Sequence, residues 1–134
     1  MTSFFRAGNT TDPRYENLRD GRKEPDKDGR GYLERIWNEC APYVDSDSAV
    51  KAPRDLASVF WELHLAHCLA FVGKNLAPRN LLGYKNNKGP DLFAAGPDVW
   101  LEAVVVRPGT GPDALDRELE FGKVFDYNPD PLVL

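Results

Sequence analysis

Cysteine, methionine and long apolar runs are scarce in this sequence, and each scarcity excludes a class of protein. Two cysteines, Cys40 and Cys68, and one methionine stand in 134 residues. Two irregularly placed thiols are too few for the disulfide framework of a small secreted domain or for a zinc site. No apolar run approaches the roughly 18 residues of a membrane span, so no membrane partner is expected. The opening Met1-Thr2-Ser3-Phe4-Phe5-Arg6 lacks the apolar core of a secretory leader, and a cytoplasmic protein is expected. Positive charge is not in excess either. Seventeen Lys and Arg against 21 Asp and Glu give a net charge of −4, which argues against retention on nucleic acid by bulk charge. A local basic patch remains compatible with that balance. The 42% hydrophobic and 28% charged residues are an ordinary globular mixture, and the length suits one compact domain.

Turn formers and alternating charges fill residues 1–29, with Pro13, Gly21, Pro25 and Gly29 spaced through them. Only Phe4, Phe5, Tyr15 and Leu18 offer apolar anchors there, so this stretch reads as a polar charged arm that is mobile on its own. Residues 30–134 read as a single domain. Tyr32, Leu33, Ile36, Trp37 and Cys40 recur at helical spacing, and Pro42 ends that helix. A second helix is expected after Pro53, from Asp55 to Val72, with Gly73 as its stop and Glu62 as its lone acid. Its apolar residues lie on most sides, which predicts burial all round. Leu76 to Tyr84 reads as a strand interrupted at Pro78. Asp91–Ala95 and Asp98–Val106 read as strands about Gly96-Pro97, the second of them central and covered on both faces. Arg107–Pro112 reads as a Gly/Pro connector and Ala114–Phe121 as a short helix behind Pro112 and Asp113.

The segment with chemistry in it is Gly89-Pro90-Asp91 through Trp100-Leu101-Glu102-Ala103-Val104. If Gly96-Pro97 is a two-residue loop, counting outward places Phe93 opposite Trp100 and Asp91 opposite Glu102, all on one face. Two carboxylates across a ladder repel, and partial burial makes ionising both less favourable still. A divalent hard cation is the simplest compensating partner. Glu62, on an otherwise apolar helix, would supply a third acid by packing over this face. The plainer alternative leaves Asp91 as a turn-ending residue and Glu102 and Glu62 as solvent-facing positions.

Trp61-Glu62 on a helix, Gly89-Pro90-Asp91 opening a strand and Trp100-Leu101-Glu102-Ala103 on the next resemble the PD-(D/E)XK nuclease superfamily. The similarity is closest to bacterial members with a Trp-Glu helix and Trp-x-Glu-Ala strand, and spans roughly residues 30 to 115. It implies a restriction-endonuclease-like fold, α+β or α/β, with N-terminal helices packed on a small, mostly antiparallel sheet. It further implies that Glu62, Asp91 and Glu102 are catalytic acids holding Mg²⁺ or Mn²⁺ for phosphodiester hydrolysis. There the metal would polarise the phosphoryl oxygen and lower the pKa of a bound water. Two departures weaken that chemistry. The superfamily lysine is due at Val104, with Lys74, Lys85, Lys88 or Arg107 as conceivable substitutes. Related chains also continue further, so a truncated or minimal version is expected.

The remaining candidates have plainer readings. His64, His67 and Cys68 suit core or rim packing better than metal binding, since no further ligand stands at usual spacing. Arg107-Pro-Gly-Thr-Gly-Pro lacks the signature of a phosphate loop. Trp37, Trp61 and Trp100 are expected in the core or at a subunit interface. A second functional expectation is therefore a catalytically inactive protein-binding module or inhibitor. It would engage nucleic-acid-handling machinery through the charged arm or the acidic stretch Asp113, Asp116, Glu118, Glu120, Asp126 and Asp130. The apolar C-terminus makes a homodimer a further expectation.

Overall fold

The fold is described from a computed structural model, which covers residues 2–84 and 89–106. Helix α1 (Pro13–Asp20) is followed by α2 (Glu24–Cys40), a 3₁₀ turn (Ala41–Tyr43), the short α3 (Ser48–Lys51) and α4 (Leu56–Phe71). Strand β1 (Asn75–Leu76), a second 3₁₀ turn (Arg79–Leu81), β2 (Leu92–Ala95) and β3 (Val99–Leu101) complete the described chain. The strands form one antiparallel sheet in the order β1-β2-β3, and α2 packs on both α1 and α4. The architecture is α+β.

Residues 1–29 are not a detached arm, because α2 runs straight through the expected boundary at residue 29. Its first turns carry no apolar residue. They form because Pro25 presets the helical φ near the N-terminus while Glu24 and Asp26 face the positive end of the helix dipole. Gly29 then lets α1 approach, since a Cβ there would stand 2.6 Å from Leu18 Cδ2. Phe4, Phe5 and Tyr15 are buried with Leu33, Ile36 and Trp37, and Phe4 lies 5.7 Å from the Trp37 ring. Polar contacts lock this aromatic cluster from outside. The Glu34 carboxylate accepts the N–H groups of Phe4 at 3.0 Å and Phe5 at 3.4 Å and a short bond from the Ser3 hydroxyl. Trp37 Nε1 donates to the Thr2 carbonyl at 3.1 Å.

A second clasp joins the same segment to α4. The Pro53 carbonyl accepts from Thr10 Oγ1 at 2.7 Å and from the N–H groups of Thr11 and Asp12 at 3.0 and 3.1 Å. Buried Asp12 caps α1 by accepting the Arg14 N–H at 3.0 Å, and its other oxygen accepts the Leu56 N–H at 2.9 Å. One carboxylate thereby serves the first turns of two helices.

Helix α4 begins where expected, with Asp55 accepting from the Ser58 N–H and hydroxyl at 3.3 and 2.8 Å. It ends before Gly73, whose φ of 80° suits a residue without a Cβ. Burial is confined to one face, Leu56, Val59, Leu63 and Ala66, while Trp61 and Phe71 are exposed. The expectation of burial all round fails: among the described residues α2, α3 and β1 pack on α4, and the side bearing Trp61 and Phe71 is left exposed.

The expected strand 76–84 is cut to two residues. Pro78 has no N–H for the ladder and starts the 3₁₀ turn at Arg79 instead. Strand β3 is likewise shorter than the expected 98–106. Among the described residues it pairs with β2 alone, so β2 is the central strand, with Leu92 and Ala94 buried. Val99 and Trp100 are about half exposed although they lie on opposite faces, Val99 with Ala94 and Trp100 with Phe93. The valine-rich run has the composition of a two-sided strand, and among the described residues no second layer covers it. The hairpin register is the expected one: Phe93 pairs with Trp100, with ring centroids 4.5 Å apart, flanked by Leu92 with Leu101 and Ala94 with Val99.

Candidate functional site

Three elements bring the sequence-selected acids into one region without converging them. Asp91 immediately precedes β2 and is half-buried. Glu102 immediately follows β3 and is exposed. Extending the ladder by one residue from Leu92 and Leu101 sets Asp91 across from Glu102. The Asp91 side chain turns toward the neighbouring backbone, however, where Oδ2 accepts the Ala103 N–H at 2.7 Å. That bond continues the pairing after β3 ends and commits one carboxylate oxygen.

Glu62, on α4 beside buried Leu63, turns toward the loop before α3 and accepts the Asp45 N–H at 3.1 Å. Burial pushes its carboxyl above the usual range. The Asp45 N–H opposes that shift, the charge of Asp91 adds to it, and the charge of Arg79 lowers it again. Glu62 and Asp91 therefore lie close enough to feel each other. Asp45 is anchored independently by Lys51 Nζ at 3.0 Å. Burial alone would raise its carboxyl, but the Lys51 and Asp47 hydrogen bonds win and hold it low.

The decisive residue is one the sequence reading missed. Arg79, in the turn between β1 and β2, donates from Nη1 to the carbonyls of Pro90 at 3.1 Å and Asp91 at 2.6 Å. Its guanidinium lies 4.9 Å from the Tyr84 ring centroid. Beside it opens a cavity of about 430 Å³ lined by Pro42, Val44, Ser46, Arg79, Asn80 and Tyr84. Burial raises the Tyr84 hydroxyl above its ordinary range, with Arg79 opposing and Asp91 adding to the shift. The sequence offers Lys74, Lys85, Lys88 and Arg107 as cations for the acids, and Arg79 is not among them. Arg79 was hidden inside a stretch read as strand. The usable signal was its place in the short connector leading to Gly89-Pro90-Asp91, beside a proline that forbids a regular ladder.

The three acids do not form a preassembled cluster. Glu62 and Asp91 each accept a backbone N–H on one oxygen, Arg79 donates to the Asp91 backbone carbonyl, and Glu102 is exposed. Among the described residues no group of three or more His, Cys, Asp or Glu side chains is placed to hold a metal. Val104, at the position of the superfamily lysine, is exposed, as is Lys74. Lys85, Lys88, the expected connector at Arg107–Pro112, the expected helix at Ala114–Phe121, the acidic stretch and the apolar C-terminal residues lie outside the described residues. Among those described, no helix is long and apolar enough to cross a membrane. Trp37 is in the core, whereas Trp61 and Trp100 are about half exposed. No protein-family model, curated protein or solved structure matches the chain.

Proposed function

We propose that this chain is a nuclease-like domain in which Arg79 takes the electrostatic place of a catalytic cation, leaving a catalytically inactive module that works by binding protein. The observation that carries this reading is the Arg79 guanidinium tied to the Pro90 and Asp91 carbonyls while its charge acts on Glu62. Partly buried carboxylates need a compensating positive charge, and a tethered guanidinium meets that need without an exchangeable ion. The net charge of −4 agrees with a partner that is itself a basic, nucleic-acid-handling protein rather than with direct binding to phosphates.

A second reading is favoured by the hairpin register, which sets Asp91 across from Glu102 with Glu62 within electrostatic reach. In that reading the three acids hold Mg²⁺ or Mn²⁺ and the chain hydrolyses phosphodiesters.

One paired experiment separates them. Plasmid, linear duplex, single-stranded DNA and RNA are incubated with the protein and Mg²⁺ or Mn²⁺, with Asp91→Ala and Glu102→Ala as controls, and thermal stability is followed with and without Mn²⁺. A carboxylate site saturated at about 100 times its Kd would add about 2.7 kcal/mol of stability. The inactive module shows no such gain and no cutting above the two variants. Cutting lost in both folded variants would establish the nuclease instead.

A further inference from the structure

Both ring nitrogens of His64, midway along α4, are engaged. Tyr32 Oη lies 2.6 Å from Nδ1, and Cys68 Sγ, one turn further along the helix, lies 3.6 Å from Nε2. Phe60 stacks on the imidazole at 5.4 Å with 10° between the planes, and Trp61 meets it edge-on at 5.8 Å, so the ring is held in one orientation. A tyrosine oxygen can accept from an imidazole N–H. With the proton on Nδ1 pointing at Tyr32, the Nε2 lone pair faces the thiol. The other titratable or charged groups around the trio are Arg35, Glu39 and Cys40 on α2 and His67 on α4. Arg35 lies 5.4 Å from the Tyr32 ring centroid, and His67 pairs with Glu39 at 3.0 Å. A nucleophile touching a base, which in turn touches an orienting group, is the arrangement of an activated nucleophile.

We propose that Cys68 is a site of thiol–disulfide exchange with low-molecular-weight disulfides, with His64 as its proton acceptor and Tyr32 as the residue that positions His64. The Cys68 proton passes to His64 Nε2, and the sulfur electron pair attacks one sulfur of the disulfide. The S–S bond breaks, and the departing thiolate takes the proton back from His64. The products are a mixed disulfide on Cys68 and one free thiol, so the incoming disulfide is the only oxidant needed. Cys68 is exposed and reachable. Cys40 does not compete: it is buried, and burial together with the Glu39 charge pushes its thiol up to about 11. The inference stands apart from the carboxylate region, since none of its residues touches Glu62, Arg79 or Asp91 in a hydrogen bond described above.

The test uses the full chain and an aromatic disulfide whose leaving thiolate is coloured. A thiol of ordinary pKa is only about 3% ionised at pH 7, so an adjacent proton acceptor can speed exchange by at most about thirtyfold. The wild type should release one equivalent of colour rapidly and Cys68→Ser none. At pH 7, His64→Gln and Tyr32→Phe should each slow release by between about threefold and about thirtyfold. Both gaps should close above about pH 9.5, where a thiol ionises unaided. Oxidised glutathione should leave one adduct on the wild type by mass and none on Cys68→Ser. Rates of both variants within about twofold of wild type at pH 7 would overturn the proposal. So would a slowing that persists at high pH, because that reports access and not proton transfer. If His64→Gln unfolds, Cys40 also reacts and a second equivalent appears. Tyr32→Phe, which keeps the ring, then decides.

Discussion

Replacing Asp12 with alanine should cost more than any surface helix cap, because its carboxylate serves two helices from a buried position. Loss of the α1 cap is worth about 1 kcal/mol. The Leu56 N–H, buried with its acceptor gone, adds the larger part, about 1–3 kcal/mol. The Arg14 ion pair at 3.2 Å adds little because that arginine is mostly exposed. The sum is about 2–4 kcal/mol, or a fall in Tm of roughly 10 °C for a domain of this size. Asp12→Asn should fall between, since an amide keeps one acceptor oxygen but turns an NH₂ toward the other N–H. Acid sharpens the test. Burial alone would raise the Asp12 carboxyl, but hydrogen bonds from Arg14 and from the Leu56 and Arg14 N–H groups outweigh it, so its pKa is lowered on folding. A lowered carboxyl contributes stability above its unfolded pKa and loses it as pH falls through the folded one. The gap between wild type and Asp12→Asn should therefore narrow on acidification below about pH 4. Urea unfolding followed by tryptophan fluorescence measures all three proteins. An Asp12→Ala midpoint equivalent to less than about 0.5 kcal/mol would refute the double-cap reasoning.

Three more perturbations probe the fold and the acid cluster. Glu34→Ala should release the first residues, giving early proteolytic nicking before Asp12 and a change in Trp37 emission while α4 stays intact; an unchanged digestion pattern would count against this anchor. Glu62 titrates in the opposite sense from Asp12. Its carboxyl is raised on folding, chiefly by burial, so ionising it costs stability as pH rises above its unfolded value. Glu62→Gln should accordingly be as stable as wild type or more so at pH 7, and flatter in its pH dependence between about 4 and 7; a clear loss of stability at pH 7 would show that the charge itself is needed. Arg79→Ala strips two carbonyls of a charged donor and should cost about 2–4 kcal/mol by chemical denaturation, with a loss under about 1 kcal/mol contradicting its placement at the acids.

What could be read from the residues followed from local rules with a single solution. The start after Pro53, the apolar face and Gly73 defined α4 almost to the residue. Counting outward from Gly96-Pro97 gave the register, because side-chain alternation in a hairpin allows no intermediate choice. Phe4, Phe5 and Tyr15 were identifiable as anchors, although the turn and charge content around them reads as a free arm. Helix α1 and the start of α2 escaped notice because capping and helix dipoles form them, and apolar periodicity does not reach that far. In the candidate site, the register that points Asp91 at Glu102 was legible, being the continuation of the ladder. The turning of Glu62 toward Asp45 was not, since it depends on how α4 meets a loop 17 residues earlier. Arg79 was hardest to see, because its partners are carbonyl groups and carry no sequence signature.

The clasp on the Pro53 carbonyl has a consequence for the order of events during folding. Thr10 and Pro53 are 43 residues apart, and closing a chain segment of that length costs roughly 3 kcal/mol in configurational entropy. Three hydrogen bonds on one carbonyl, at about 1 kcal/mol net each, only just offset that closure. The clasp is therefore not a nucleus. It should close only after α2 and α4 have met, and open before the helices part. Amide exchange at Thr11, Asp12 and Leu56 should report a shared opening, well below the energy of global unfolding.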